Sequence, residues 1–320
     1  MFVMTKLGAL GVLGDKQAWL PDIPKTPLMR RRMLWAYAFV AAPLIALLVF
    51  LLGPILFSGW VSLHRWDMLS PVSEMPWRGL SNYSHLLSKD PVFLKSLGNT
   101  FYFAIGGVGA NTILGLGFAL LLNSRIRWRA IWRVLYFMPV ITAPLALAVM
   151  FSFIFDRNFG VVNNVITGLG LPRQPFLSGP NQALLTLVFI AVYQYIGYYI
   201  VIFLAGLQGI PQDYYDAAQV DGAGRIQEFH YITLPLLRPV MLFVVVTNTI
   251  GALQVFDLVF ATTGGAPANS SMTVVLHMYN TAFKFSRMGR ASAMAFILFA
   301  IIMLITIAQV RLLQDRTYGD

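Results

Sequence analysis

Cysteine is absent from all 320 residues. That excludes disulfides, thiol catalysis, iron–sulfur clusters and cysteine-ligated zinc, and it removes any redox clue to the compartment. Charge is also scarce, at 11% of residues against about 25% in soluble domains. With 58% hydrophobic residues and a mean hydropathy of +0.69, such a chain is not expected to fold in water. Acids are the scarcest class, 13 Asp and Glu against 23 Lys and Arg, for a net charge of +10. No Gly-x4-Gly-Lys-Ser/Thr loop, Gly-x-Ser-x-Gly or His-Glu-x-x-His occurs, and His64, His85, His230 and His277 lack metal-ligand spacing. No catalytic residue, metal site or cofactor is therefore expected in this chain. No short basic region runs into an apolar stretch and an Ala-x-Ala site, so no cleaved signal peptide is expected. No internal repeat or low-complexity tract is visible.

What the chain does have is long charge-free runs: 33–64, 96–124, 134–155, 174–212, 239–283 interrupted by Asp257, and 291–310. A hydrocarbon core about 30 Å thick takes roughly 20 residues at about 1.5 Å rise each. Lipid leaves backbone polar groups no outside partner, so runs of this length without strict alternation are helices. The expected fold is an all-α polytopic membrane protein of six transmembrane helices, near 34–62, 97–122, 134–155, 183–205, 239–261 and 291–312. Its expected organisation is an N-terminal segment 1–33, a first helix and outer loop 34–95, a five-helix core 96–312 and a tail 313–320.

Six spans put both termini on one side. That side carries 14 of the basic residues, including Arg30, Arg31, Arg32 and the cluster Arg125, Arg127, Arg129 and Arg133, against 9 on the other face. The positive-inside rule makes both termini cytoplasmic, in a multi-pass protein of the cytoplasmic membrane. Basic residues at the headgroups also account for the +10 without nucleic acid as a partner; the bilayer is the partner they fit. Of the outer connections, 63–95 carries Trp60, Trp66 and Trp77 as interfacial anchors, and 156–180 is rich in Gly, Pro and Asn. The third carries Thr262-Thr263-Gly264-Gly265-Ala266-Pro267.

Between the fourth and fifth spans, residues 206–239 are too many for a hairpin of about two to eight residues. Pro211 suits a first helical turn, Asp213 and Asp216 favour its N-terminal end, Ala217 and Ala218 are strong helix formers, and Gly222 with Gly224 stops it. Residues 225–230 form a second turn before Pro235 and Pro239. The helix carries Asp213, Asp216 and Asp221 beside Ala217-Ala218, with Tyr214, Tyr215, Val220 and Ile226 costly to leave in water. It reads as a docking element. The alternative, a helix lying on its own headgroups, sits poorly with three acids, since interfacial helices are basic on the polar face.

The spacing Asp216-Ala217-Ala218, three residues, Gly222, nine residues, Ile232-x-Leu234-Pro235 resembles the E-A-A-x3-G-x9-I-x-L-P signature of ABC importer membrane subunits. Gln208-Gly209-Ile210-Pro211, Asp221-Gly222-Ala223, Phe256-Asp257-Leu258-Val259 and Thr263-Gly264-Gly265-Ala266-Pro267 resemble the carbohydrate-uptake branch, of maltose, glycerol-phosphate and trehalose type. The likeness covers roughly 34–315. It departs from the pattern in Asp216 for Glu, which keeps the carboxylate, and in Ala266 for a third Gly. The resemblance implies a coupling helix at about 212–222 that seats in a separate ATPase subunit through Asp213, Tyr215, Asp216, Ala217, Ala218, Asp221 and Gly222. It further implies a second homologous permease, two ATPase subunits carrying ATP and Mg, and an extracytoplasmic sugar-binding protein, with transport by alternating access.

Polar residues at bilayer depth face a partner or a water-filled path. In the fifth span Asn248, Gly251 and Asp257 follow one face with Gln254 beside it; in the fourth, Gln194, Tyr195 and Tyr198 share a face near Tyr193 and Tyr199. Rings, amides and hydroxyls suit an uncharged polyol. They equally suit interhelical hydrogen bonds and an interfacial aromatic belt, and Asp257 equally suits a bond to the outer loop backbone. The span interiors lack Lys and Arg, which favours a neutral sugar over an anion such as glycerol 3-phosphate. Pro43, Pro54, Pro139 and Pro144 are expected to bend their helices, and Gly106-Gly107 and Gly109-Ala110 to allow close contact. The reading is a sugar-importer permease with no catalysis of its own; the rival is an ion-coupled secondary transporter using Asp257.

Overall fold

A backbone N–H that proline cannot supply must be compensated locally, and the prolines of this chain mark where its helices change course. The computed structural model describes residues 27–124 and 129–313. Among these residues five helices are long and apolar enough to cross a bilayer, or six when one sharply bent pair counts as a single span. No strand occurs among them beyond an isolated pairing of His64 with Trp77. Lys6, Lys16, Lys25, Arg125, Arg127 and Arg316 lie outside the described residues, and with them most of the terminal segments 1–33 and 313–320.

Two units divide after Ser58. In the first, helix Pro27–Leu47 runs through Pro43 without interruption. The irregularity falls instead at Leu48–Leu52, a π-turn whose end is marked by the Gly53 N–H bonding the Leu48 carbonyl. Pro54 follows at once and cannot donate to the carbonyl four residues back, so the widened turn absorbs the missing bond.

In the second unit the second span is Pro91–Asn123. Asp90 caps it: Oδ1 accepts from the N–H groups of Val92 and Phe93, each at 3.0 Å, and Oδ2 lies 3.3 Å from His277 Nε2. Burial raises this carboxyl's pKa, but the Phe93 N–H and the His277 side chain outweigh it and hold Asp90 below the usual carboxylate range. The cap therefore forms fully above the ordinary carboxylate pKa and is lost only as pH falls through the lowered one.

The third span departs from the single helix expected at 134–155. Helix Arg129–Ile141 ends, and Pro144–Ile154 starts afresh at 106° to it. Pro144 cannot donate, and Ala143 before it is held out of the helical region at ψ 128. Pro139, by contrast, is carried inside the first helix without breaking it.

Ala183–Gln208 forms the fourth span and Met288–Leu313 the sixth. The fifth, expected continuous over 239–261, is Arg238–Leu253 followed by a short helix Asp257–Thr262, with Gln254–Phe256 irregular between them. The second and fourth spans pack along each other. A side chain on Gly106 would meet Val188, and one on Gly115 would meet Tyr199 and Phe203. Gly107 and Gly109 have open space beside them, so of the small residues named in that stretch Gly106 makes the close contact.

Three apolar clusters hold the second unit. One joins Phe103, Leu147, Leu187, Ile190, Leu253 and Val259; a second, nearer the 206–239 connection, joins Phe203, Leu207, Leu237 and Val244. The third ties Leu86 and Phe93 to Met294 and Leu298. Many large apolar side chains remain uncovered, among them Ile105, Ile113, Phe189 and Phe299, which suits lipid as the solvent. Between the fifth and sixth spans Gln309 Nε2 donates to Thr249 Oγ1 at 2.8 Å.

The tightest helix contact lies at Gly197, where any Cβ would run into the Tyr136 carbonyl. Gly197→Ala is expected to force the fourth span from its neighbour and cost about 1–3 kcal/mol. Thermal unfolding of the purified protein reads this as a lower midpoint. Gly98→Ala, with nothing near its Cβ, is the control that stays level or rises.

Candidate functional site

The two helix interruptions face the same space. Pro144, where the third span restarts, and Gln254–Leu258, where the fifth span breaks and resumes, both wall a cavity of about 270 Å³. Irregular backbone at membrane depth is tolerated where it lines a water-filled cavity, and transporter sites are often built from such discontinuous helices. The second and fourth spans close the other sides with Phe103, Gly107 and Asn111, and with Ala191, Gln194, Tyr195 and Tyr199.

Of the seven residues singled out in the fourth and fifth spans, six meet here: Gln194, Tyr195, Asn248, Gly251, Gln254 and Asp257. Tyr198 does not line the cavity; its ring stands edge-on to Tyr199 with centroids 5.3 Å apart. Tyr193 turns instead to Phe151. Asn111 was not anticipated. An uncharged amide amid the apolar run of the second span shows no face by itself, and only its packing against the fourth and fifth spans brings it to the site.

The lining is rich in hydrogen-bonding groups and poor in charge. Asp257 is its one ionisable acid, and no Lys, Arg or His lines it among the described residues. Asn111 Oδ1 and Asn248 Nδ2 are buried there without a hydrogen-bond partner, an acceptor and a donor left for something else to satisfy. A bond from Asp257 to the outer loop, the structural alternative, is not made among the described residues. That loop is held by others: Lys95 Nζ donates to the Ala268 carbonyl at 2.7 Å, and Asn99 Nδ2 to those of Asn269 and Met272 at 3.0 and 2.9 Å.

At the far end of the same helices, Gln212–Val220 forms the short helix expected in the 206–239 connection. It closes with two bonds, Gly222 N–H to the Gln219 carbonyl and Ala223 N–H to the Ala218 carbonyl, with Gly222 at φ +80. This is a Schellman ending, and its left-handed position is one that glycine enters without penalty. Gln212 Nε2 donates to Asp216 Oδ1 at 3.1 Å. The chain then turns back through Arg225–Glu228, a π-turn at Phe229–Thr233 and Leu234–Leu236 to the fifth span at Arg238. Two bonds brace the turn: Tyr215 OH with Thr233 Oγ1 at 3.0 Å, and Gln219 Nε2 to Glu228 Oε1 at 3.1 Å. Asp213, Asp216, Ala217, Asp221 and Gly222 are exposed, Tyr215 and Ala218 half-buried. Around them Tyr214, Val220, Ile226 and Tyr231 stand 54–88% exposed, an apolar surface left uncovered among the described residues.

Residues 111–317 match the family model of binding-protein-dependent transport system inner membrane components. The chain is 34% identical over 275 residues to a trehalose/maltose transport system permease protein, MalF, of Thermococcus litoralis, covering 86% of this chain and 92% of that one. It is 31% identical over 278 residues to a multiple sugar-binding transport system permease protein, MsmF, of Streptococcus mutans, covering 87% and 94%. Its fold matches a chain of the crystal structure of a bacterial alginate ABC transporter in complex with an alginate pentasaccharide-bound periplasmic protein. The TM-score is 0.77 at 20% identity, covering 89% of this chain and 95% of that chain.

If Asn248 served as interhelical glue, its removal would destabilise the protein. Because its Nδ2 has no partner, Asn248→Leu is expected to leave the thermal midpoint unchanged or raise it, by up to about 1 kcal/mol. A clear drop in the midpoint would assign the residue to helix packing.

Proposed function

From the premise that the chain belongs to the binding-protein-dependent transport system inner membrane components, the permeases of ABC importers, we propose that it carries a neutral sugar through the Asn111–Asp257 cavity. It is a multi-pass membrane protein and a transport subunit, not an enzyme; ATP is hydrolysed on partner ATPase subunits. It works with a binding protein and a partner permease. The observation that carries the substrate class is the lining itself, amides, hydroxyls and rings with one carboxylate and no cation. A phosphate or carboxylate would enter without a counter-ion there and opposite Asp257, whereas a polyol offers hydroxyls to the unpaired Asn111 Oδ1 and Asn248 Nδ2. Relatives named for trehalose, maltose and multiple sugars support this reading. The cavity's 270 Å³ falls just below the usual range of about 300–1,000 Å³, which fits a path completed by the second permease.

In this reading both termini are cytoplasmic and two ATPase subunits bind inside, one receiving the Gln212–Val220 helix. The acids Asp213, Asp216 and Asp221 frame its small Ala217–Ala218 surface, and the exposed Tyr214 and Val220 are covered on docking. ATP binding closes the ATPase pair and swings the permeases between inward- and outward-facing states. No ion gradient is required, and Asp257 serves as a hydrogen-bond acceptor for the sugar.

The test is uptake by the assembly reconstituted with its native partners, offered a panel of neutral sugars, uronates and glycerol 3-phosphate. Preference for an anion would overturn the substrate class. Gly222→Asp meets no neighbour within 4 Å of a Cβ, but it places a side chain at φ +80 and so strains the end of the helix. It is expected to leave the protein in the membrane while uptake falls to background; full uptake would remove the helix from coupling. Asp257→Asn is expected to raise KM several-fold with maximal ATP-driven uptake largely kept.

A further inference from the structure

On the face opposite the Gln212–Val220 helix lies a second and larger cavity, about 840 Å³. It shares no lining residue with the cavity between the helix breaks. Five cations line it, Arg65, Arg78, Lys89, Arg287 and Arg290, against the carboxylates Asp67 and Glu74. None of the five cations makes an ion pair among the described residues. Asp67 is already committed: its Oδ1 accepts from the N–H groups of Leu69 and Ser70 and its Oδ2 from Ser70 Oγ. The excess of positive charge is felt by His85, whose pKa is pushed below its ordinary value first by burial and then by Arg290.

The depth of these cations identifies what they meet. Arg65 follows the end of the first span at Ser62, Lys89 precedes the second span at Pro91, and Arg287 and Arg290 straddle the start of the sixth at Met288. Ends of three spans define the level of the lipid headgroups. The 63–95 connection, which lends Leu69 to the lining, exposes apolar side chains, with Leu69 86%, Leu80 70% and Trp77 63% exposed, as a segment seated in the headgroup and acyl boundary would. A surface built to meet only the aqueous binding protein would not hold such side chains at that level.

We propose that this cavity binds the phosphodiester headgroup of an anionic phospholipid, in the leaflet away from the Gln212–Val220 helix. Planar guanidinium groups pair bidentately with phosphate oxygens, and the lipid's chains would run down beside the exposed apolar segment. A lipid held there would link the 63–90 connection to the start of the sixth span.

The test is native mass spectrometry of the complete importer assembly in neutral detergent with phosphatidylglycerol or phosphatidylcholine added. Phosphatidylglycerol is expected to be retained at least about tenfold better, a preference lost in an R65Q/R287Q/R290Q variant. Should that variant fail to assemble, the wild-type protein decides alone: retention of phosphatidylglycerol must fall with rising salt, and equal retention of the two lipids overturns the proposal. Displacement of the lipid by inorganic phosphate at equal concentration would make this a site for free phosphate and overturn the lipid assignment. Loss of binding-protein docking in the variant with phosphatidylglycerol retention unchanged would assign the cations to an acidic surface of that protein instead.

Discussion

The bilayer core offers no water to a backbone N–H or C=O, and the structure follows from where this chain obeys that constraint and where it does not. The second, fourth and sixth spans obey it along their whole length. The third breaks at Thr142–Ala143 because Pro144 cannot donate, and the fifth breaks at Gln254–Phe256. Exposed to lipid, each break would be costly. Facing a shared cavity with polar walls, the freed groups have somewhere to turn.

The two ends of the core are tied differently. Toward the face of the 63–95 connection, hydrogen bonds run between distant segments: Asn82 Nδ2 to the carbonyls of Ser62 and His64, Asp90 with His277, and Val274 N–H to Thr100 Oγ1. At the opposite end two bonds brace the 206–239 connection from within, Tyr215 with Thr233 and Gln219 to Glu228. The connection leads directly into the fourth and fifth spans, which line the cavity with Gln194, Tyr195 and Tyr199 on one side and Asn248, Gln254 and Asp257 on the other. Two helices therefore join the 206–239 connection to the cavity.

Much of the fold was legible in the residues. Charge-free runs located five spans to within a few positions, because a long apolar run in a chain this poor in charge has only one stable conformation in lipid. The helix over 212–220 and its ending at Gly222 were legible from local chemistry, since helix formers, acids in the first turn and a left-handed glycine act within a few residues. The severity of the bend at Pro144 was not. Pro139 has the same missing donor and is accommodated within a helix, and the difference lies in what packs against each. Gln194, Asn248 and Asp257 were legible as polar residues inside spans and line the cavity, while Tyr198 does not line it and Asn111, which does, was not named, because periodicity gives a face only relative to its own helix.

Composition and pattern alone determined that this chain lives in lipid and that it is helical. Those conclusions rest on burial and on contacts a few residues apart. Which faces converge was decided by the tertiary structure. The second, third, fourth and fifth spans meet at a cavity with no cation, while Arg65, Lys89, Arg287 and Arg290, distant in sequence, gather at the ends of three spans. Convergence of this kind depends on helix crossings set by a glycine against a carbonyl, Gly197 on Tyr136, and no local rule of sequence contains it.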